Sequence, residues 1–375
     1  MTVAIETTDQ LELAGQVQTA LAGLMEIESF AWGEQGALML RGRLTGPSQA
    51  LYRTIRMRME SLGFTPLLRR NADRDELVAL PGVTEHPPGR VLLPVALFVI
   101  TFLSVLMTGA LYESGGQINA PGQILAGLPF AATLLGILGT HELGHYVAGR
   151  LRRAPVSLPY FIPLPPIPIF GVVLTFTGTL GAVIVQREPL EDRRTILEVG
   201  IAGPLAGLVV AVPLLFYGLA TSELAPIPSG LYQQEGNSIL YVLAKLLVFG
   251  RWLPSGGLDV HLNSVAWGAW IGLLITMFNL LPIGQLDGGH IAYALLGRSA
   301  RYLAYGMIGL ILILGVTVSP AWLVWGVLTF AIGPSHPAPM NDIAGLDLPH
   351  VALALFGLFV FVLLFTPALL TVGGG

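Results

Sequence analysis

Long apolar runs separated by short polar stretches dominate the chain after residue 88. Six of them, at residues 91–112, 124–149, 196–219, 262–282, 300–319 and 350–371, are each close to the roughly 20 residues that a helix needs to cross a bilayer. A seventh run, residues 321–332, is short for a full crossing. It can extend the preceding helix, re-enter the membrane, or lie at the interface. The first 88 residues follow a different pattern, polar and mixed in charge. Within them, residues 37–44 alternate as a strand does, 47–62 have helical spacing, and 66–70 and 77–81 read as extended. They predict a small soluble α+β domain, with the proline-containing stretch 85–89 as a stiff linker to the remainder, 89–375.

Between the second and third runs the pattern changes again. Residues 155–186 are rich in proline, glycine and β-branched residues, which suits loop and strand rather than helix, yet the segment is strongly apolar. Strand edges cannot face lipid, so a membrane-dipping β-hairpin or small sheet, buried among helices or lining a cavity, is expected here. Residues 239–249, inside the stretch 220–260, form an amphipathic helix suited to a membrane surface, or a plain connector. The fold class expected is therefore a polytopic α-helical membrane protein. It has about six transmembrane helices, a membrane-associated β-hairpin or small sheet, and a small soluble α+β amino-terminal domain.

Composition agrees with this pattern. The 375 residues are 53% hydrophobic and 11% charged, with a mean hydropathy of +0.71, against about 25% charged in ordinary soluble domains. There is no cysteine, so disulfides and thiolate metal ligands are both excluded. The net charge of -4 argues against nucleic acid as a partner. Arginines set the expected orientation. Arg90 precedes the first run, Arg150, Arg152 and Arg153 follow the second, Arg193 and Arg194 precede the third, and Arg298 and Arg301 follow the fourth. These ends are expected in the cytoplasm. No signal-peptide pattern opens the chain, so the amino terminus is expected there too, with a bacterial cytoplasmic membrane as the location.

The second apolar run ends GILGTHELGHYVAGRLRR, which places His141, Glu142 and His145 in an H-E-x-x-H pattern. Residues four apart share one helical face, so two imidazoles can bind one Zn²⁺ while Glu142, one step around, serves as general base on water activated there. His141 lies nine residues before Arg150, which at 1.5 Å per residue is roughly 14 Å inside the boundary. Ionisable groups at that depth are costly and usually functional. Catalytic zinc takes a third protein ligand. The sequence WIGLLITMFNLLPIGQLDGGHIAYALLG offers one: Asn279, Asp287 and His290 interrupt an apolar helix that Pro282, Gly284, Gly288 and Gly289 should break. Asp287 is the candidate third ligand, the alternative being a snorkelling or loop acid. His261, His336 and His350 read as interfacial or loop residues.

These motifs carry a resemblance. H-E-L-G-H in one span and N-L-L-P-I-G-Q-L-D-G-G in another, with GTLGAVI at residues 178–184 and AGPLAG at 202–207, resemble the site-2 protease family of intramembrane zinc metalloproteases. The closer likeness is to its bacterial and plastid subgroup with a short soluble amino-terminal domain. The resemblance implies one Zn²⁺ held by His141, His145 and Asp287, Glu142 as catalytic base, and a membrane-anchored protein as substrate. Asn279 matches the family's asparagine, serving either the substrate backbone and developing oxyanion or an interhelical contact. Gly178, Thr179, Leu180 and Gly181 begin a strand that either holds an unwound substrate by β-augmentation or is purely structural. AGPLAG reads as helix packing, since Gly203 and Gly207 form a small-xxx-small pair. His290 reads as a neighbour of the ligand set or an ordinary polar residue. The PDZ domain that many members carry would not fit into residues 220–260. The readings opposed to an enzyme are a transporter or channel, whose polar residues would be spread along a pathway, and a proteolytically inactive membrane scaffold, which would have no need of Glu142.

Overall fold

The computed structural model describes residues 8–83, 91–166, 168–169, 172–173, 177–230 and 232–373. The expected linker at 85–89 and Arg90 lie outside the described residues. The chain divides into two compact units. One comprises Met1–Pro87, Glu188–Ile196 and Pro337–Leu348, the other Pro88–Arg187, Leu197–His336 and Pro349–Gly375. The first unit thus takes in two segments that lie far beyond residue 88 in the sequence.

In the first unit the helices α1 (Thr8–Leu21) and α2 (Ser48–Glu60) accompany strands β1 (Met25–Trp32), β2 (Leu38–Leu44), β3 (Phe64–Asn71) and β4 (Arg74–Pro81). The strands form an antiparallel sheet in the order β1-β2-β4-β3. Pattern reading anticipated β2, α2, β3 and β4, whereas α1 and β1 were not anticipated, β1 being half-exposed and without strict alternation. Helix α2 turns Tyr52, Ile55 and Met59 inward at helical spacing. They join Val17, Leu21, Leu38, Leu40, Leu68 and Leu77 in one core, and the Tyr52 hydroxyl donates to the Pro66 carbonyl at 2.8 Å.

The later segments complete this unit. Strand β3 is an edge of its sheet, and an uncovered edge exposes a row of unpaired backbone groups. The Leu68 amide donates to the Met340 carbonyl at 2.8 Å, and the Asp342 amide to the Leu68 carbonyl at 3.1 Å. On its far side the same stretch pairs onward, with the Met340 amide donating to Leu190 at 2.9 Å and the Asn341 amide to Glu191 at 2.8 Å. Both bridges at Asn341 are parallel. Met340, 2% exposed, sits among the core side chains, and Arg193 pairs with Asp342 at 3.2 Å.

The second unit is mostly helical: α3 (Leu92–Glu113), α4 (Leu128–Leu151), α5 (Arg193–Ala220, its first four residues in the first unit), α6 (Ile239–Phe249), α7 (Ser264–Asn279), α8 (Asp287–Leu296), α9 (Ala300–Thr317), α10 (Ala321–Ile332) and α11 (Leu348–Leu364). Among the described residues, four helical stretches are long and apolar enough to cross a membrane: Leu92–Glu113, Pro121–Leu151, Arg193–Ala220 and Asp287–Thr317. The runs at 262–282 and 350–371 become α7, of 16 residues, and α11, of 17. Helices α3 and α9 expose Val95, Val99, Ile313 and Val316, an outward apolar face suited to lipid. By contrast α7 is buried on nearly every side, as an apolar helix at the centre of a bundle should be. Helix α4 packs against α3 and α7.

Strands in this unit are short. Strand β5 (Tyr160–Pro163) pairs antiparallel with β8 (Thr179–Val183), and the two-residue strands β6 (Pro168–Ile169) and β7 (Val172–Val173) pair with each other. This is the hairpin arrangement expected for the proline-rich apolar segment. Two more pairs, β9 (Glu223–Pro226) with β11 (Leu258–His261) and β10 (Tyr232–Glu235) with β12 (Leu370–Gly373), flank α6 in sequence. Helix α6 has the bounds read from the sequence. Its Ser238 side chain accepts from the Tyr241 amide, and Gly250 closes it at φ 68°.

Met340→Ala should destabilise the first unit by about 2–5 kcal/mol, the usual range for emptying a packed core position. Hydrogen exchange checks this: protection of the Leu68 amide in the full-length protein should fall by at least about 30-fold, each 1.4 kcal/mol being tenfold.

Candidate metal centre

Helix α4 runs without a break through His141, Glu142 and His145, so the two histidines lie on one face, one turn apart. Helix α7 ends at Asn279, and α8 begins at Asp287. Pro282 lacks the amide that would continue the ladder. Gly288 and Gly289 then let α8 fold back on the turn. A Cβ on Gly288 would lie 1.9 Å from the Leu280 carbonyl oxygen, and one on Gly289 would lie 2.3 Å from that of Gly284. The break expected in this stretch is therefore present, and it makes Asp287 the first residue of a helix.

The three residues converge. His141 Nε2 is 3.1 Å from Asp287 Oδ2, His145 Nε2 is 3.3 Å from Asp287 Oδ1, and the two Nε2 atoms are 3.1 Å apart. Tetrahedral zinc with ligand bonds of 2.0–2.2 Å separates neighbouring donor atoms by about 3.4 Å. His145 Nδ1 lies 2.7 Å from the Val199 carbonyl. A carbonyl only accepts, so Nδ1 carries a proton, and Nε2 is the nitrogen left to face the carboxylate. Two imidazole nitrogens and a carboxylate at these separations are a donor set that fits a metal ion. Among the described residues no other group of three histidines and acids is close enough to hold one. Hydrogen bonding of the second ring nitrogen to a carbonyl is also how proteins orient metal-binding histidines.

Glu142 is 5% exposed and lines the same cavity of about 210 Å³ as the three candidate ligands. Asn279 lies there too, its Nδ2 3.3 Å from His141 Nε2. The other walls include Ala182, Val183 and Ile184 from the end of the GTLGAVI stretch, with Val156, Val199 and His290.

Gly178, Thr179, Leu180 and Gly181 do not line the cavity. Gly178 has φ +77° and abuts α3, where a Cβ would come within 2.7 Å of Val105 Cα, and the Ser104 hydroxyl donates to its carbonyl at 2.6 Å. Thr179 is 2% exposed, with its hydroxyl donating to the Ile162 carbonyl at 2.8 Å. Leu180 points outward at 65% exposure. This half of the strand anchors it, and the following half reaches the cavity.

Sequence reasoning underestimated AGPLAG. A Cβ on Gly203 would lie 2.1 Å from His145 Nε2, and one on Gly207 would lie 3.2 Å from His141 Cβ. The small residues on α5 therefore seat the two imidazoles, a role that spacing alone could not separate from ordinary helix packing. The Val199 carbonyl left no trace in the sequence at all. Of the remaining histidines, His350 bonds Glu198 at 3.0 Å and His261 ends strand β11. His336 is not merely a loop residue: its Nε2 lies 2.5 Å from His290 Nδ1.

Comparison with known proteins agrees with this geometry. The profile of Peptidase family M50 matches residues 129–316, which contain His141, His145, Asn279 and Asp287. Similar curated proteins include the probable zinc metalloprotease EGY1, chloroplastic, of Arabidopsis thaliana, 32% identical over 64% of this chain and 43% of its own length. EGY2, chloroplastic, of the same plant is 29% identical over 89% of this chain and 60% of its own length. EGY3, chloroplastic, of Oryza sativa subsp. indica is 27% identical over 68% of this chain and 44% of its own length. The chain thus spans about two-fifths to three-fifths of these relatives. No solved structure matches it. With the profile covering half the chain and both histidine and aspartate motifs inside it, the protein belongs to Peptidase family M50.

Proposed function

We propose that the protein is an intramembrane zinc metalloendopeptidase that cleaves membrane-anchored proteins. The observation that carries this reading is the convergence of His141, His145 and Asp287 at 3.1–3.3 Å with the buried Glu142 on the same cavity. The names of the relatives, probable zinc metalloproteases, support it. His141, His145 and Asp287 hold one Zn²⁺, since two imidazoles and a carboxylate suit that ion. Zinc, when bound, activates water and polarises the scissile carbonyl. Glu142 takes the proton from the attacking water and returns it to the departing amine. Asn279, beside His141, donates its amide to the substrate backbone or the oxyanion.

A helical substrate hides its carbonyls in its own hydrogen bonds and must be unwound before attack. Strand β8 pairs only with β5 among the described residues, and its second edge holds the extended segment by β-augmentation. Ala182, Val183 and Ile184 face the cavity, while Gly178, Thr179, Leu180 and Gly181 continue the track away from it. In the membrane, α7 and α11 cross alongside the four longer stretches, and α10 returns the chain from the end of α9 before residues 337–348 join the first unit. The amino terminus lies on the side of Arg150, Arg152 and Arg153, the cytoplasmic side of a membrane of bacterial or plastid type. The residues up to 88 act as a soluble domain and the rest as the membrane protease.

Two variants test this. Glu142→Gln should keep bound zinc while cleavage of a membrane-anchored substrate falls by about 10²–10⁴-fold, the usual contribution of a general base. Metal analysis and a cleavage assay in detergent measure both, and unchanged cleavage would refute the peptidase reading. Gly203→Ala puts a methyl group into the His145 ring, so zinc affinity should fall by about 10–100-fold, as it does when the surroundings of a ligand are disturbed. Chelator competition reads that loss.

A further inference from the structure

Helix α8 carries Asp287 at its first turn, so the rotation of this short helix about its own axis decides where the carboxylate points. Its amino-terminal side is fixed by the turn that precedes it. Its second turn is held differently. His290, one turn beyond Asp287, is pressed against α5, where a Cβ on Gly200 would lie 2.6 Å from His290 Cβ. From the opposite direction His336 approaches, its Nε2 2.5 Å from His290 Nδ1 and the two rings crossed at 78°. The same imidazole stacks on Tyr293, with centroids 4.5 Å apart and an interplanar angle of 21°. Tyr293 is 2% exposed and follows His290 by three positions, so His336 covers adjacent side chains on one face of α8.

The loop that delivers His336 is itself seated on the turn before α8. Its Gly333, at φ +84°, brings its carbonyl oxygen to within 2.2 Å of where a Cβ on Gly284 would be. The stretch GPSHPAP places Pro334 and Pro337 around His336, which restricts its backbone. Residues 333–336 thus form a stiff strap that meets α8 and its preceding turn at two points.

We propose that His336 is a positioning residue of the metal centre: through His290 and Tyr293 it fixes the rotation of α8, and so holds Asp287 within reach of His141 and His145. The inference rests on the reading of those three residues as metal ligands. His336 does not touch the metal or the substrate. Its loss releases the second turn of α8, and the carboxylate at the first turn no longer stays in register with the two imidazoles.

The test is metal affinity of the purified full-length chain in detergent, read by chelator competition for Zn²⁺ and by the visible absorption of Co²⁺ loaded in its place. His336→Ala should weaken both ions by about 10–100-fold and shift the Co²⁺ bands, because the carboxylate ligand has moved. His141→Ala, run alongside, should lose the metal outright. Wild-type affinity and unchanged Co²⁺ bands in His336→Ala, with metal lost in His141→Ala, overturn this inference alone. Wild-type affinity in both overturns the ligand assignment on which it rests. Should His336→Ala fail to give monodisperse protein, His336→Gln and His336→Phe replace it. The glutamine keeps a polar partner for His290 and should bind within threefold of wild type, whereas the phenylalanine keeps only the stack on Tyr293 and should bind at least tenfold more weakly. Wild-type affinity in both of those variants also overturns the inference.

Discussion

Two imidazole nitrogens and a carboxylate are held within 3.1–3.3 Å of one another among apolar helices. Polar groups gathered at one buried point must satisfy one another or a shared ion, and that is the constraint to which the surrounding packing answers. A buried polar group without a partner costs a few kcal/mol, and an unpaired charge costs more. His141, Glu142 and Asp287 would therefore be expensive on lipid-facing surfaces. They sit instead on the inward faces of helices whose outer sides carry leucine and valine, as Leu143 and Val147 do on α4 and Leu296 does on α8.

Bringing these groups together requires backbones to approach more closely than ordinary side chains permit. Gly203 admits the ring of His145, and Gly144 on α4 lies where a Cβ would be 2.6 Å from the Ala202 carbonyl oxygen on α5. Gly288 and Gly289 do the same for the fold between α7 and α8. In each place glycine supplies room rather than flexibility, and the room is used by a histidine ring or by a carbonyl. The Val199 carbonyl adds direction, since its bond to His145 Nδ1 turns the other nitrogen toward Asp287. Packing and chemistry at this centre are therefore one arrangement.

Much of this could be read before any coordinates. Helical periodicity places His141 and His145 on one face, and Pro282 with its neighbouring glycines predicts the break that frees Asp287. Those signals are local, because each depends on residues within one or two turns. What the sequence did not disclose is what depends on a second element. The seating of His145 by Gly203 needs α5 to lie against α4, and a small-xxx-small pair reads the same whether its partner is leucine or histidine. The Val199 carbonyl is backbone, which no side-chain pattern encodes. His336 lies 46 positions from His290, and nothing at either residue points to the other. Strand β1 was missed for a different reason: half of it stays exposed, so its alternation is blurred.

The sheet of the first unit has a consequence for how this protein could be taken apart. Its edge strand β3 is covered by the chain around Met340 and Asn341, which is covered in turn by the chain around Leu190 and Glu191. The unit is therefore assembled from three portions of the polypeptide, with residues 88–187 and 197–336 lying between them, and Met340 of the last portion shares the hydrophobic interior of the first. Excising the first 87 residues would leave a slot where Met340 belongs and a bare row of amides and carbonyls along β3. On a ribosome the β3 edge stays uncovered until residue 342 has emerged, after most of the apolar helices have been made. Exchange of this unit between homologues by cutting at one boundary would likewise yield a mismatched joint, since its borders are sewn into the chain at three places.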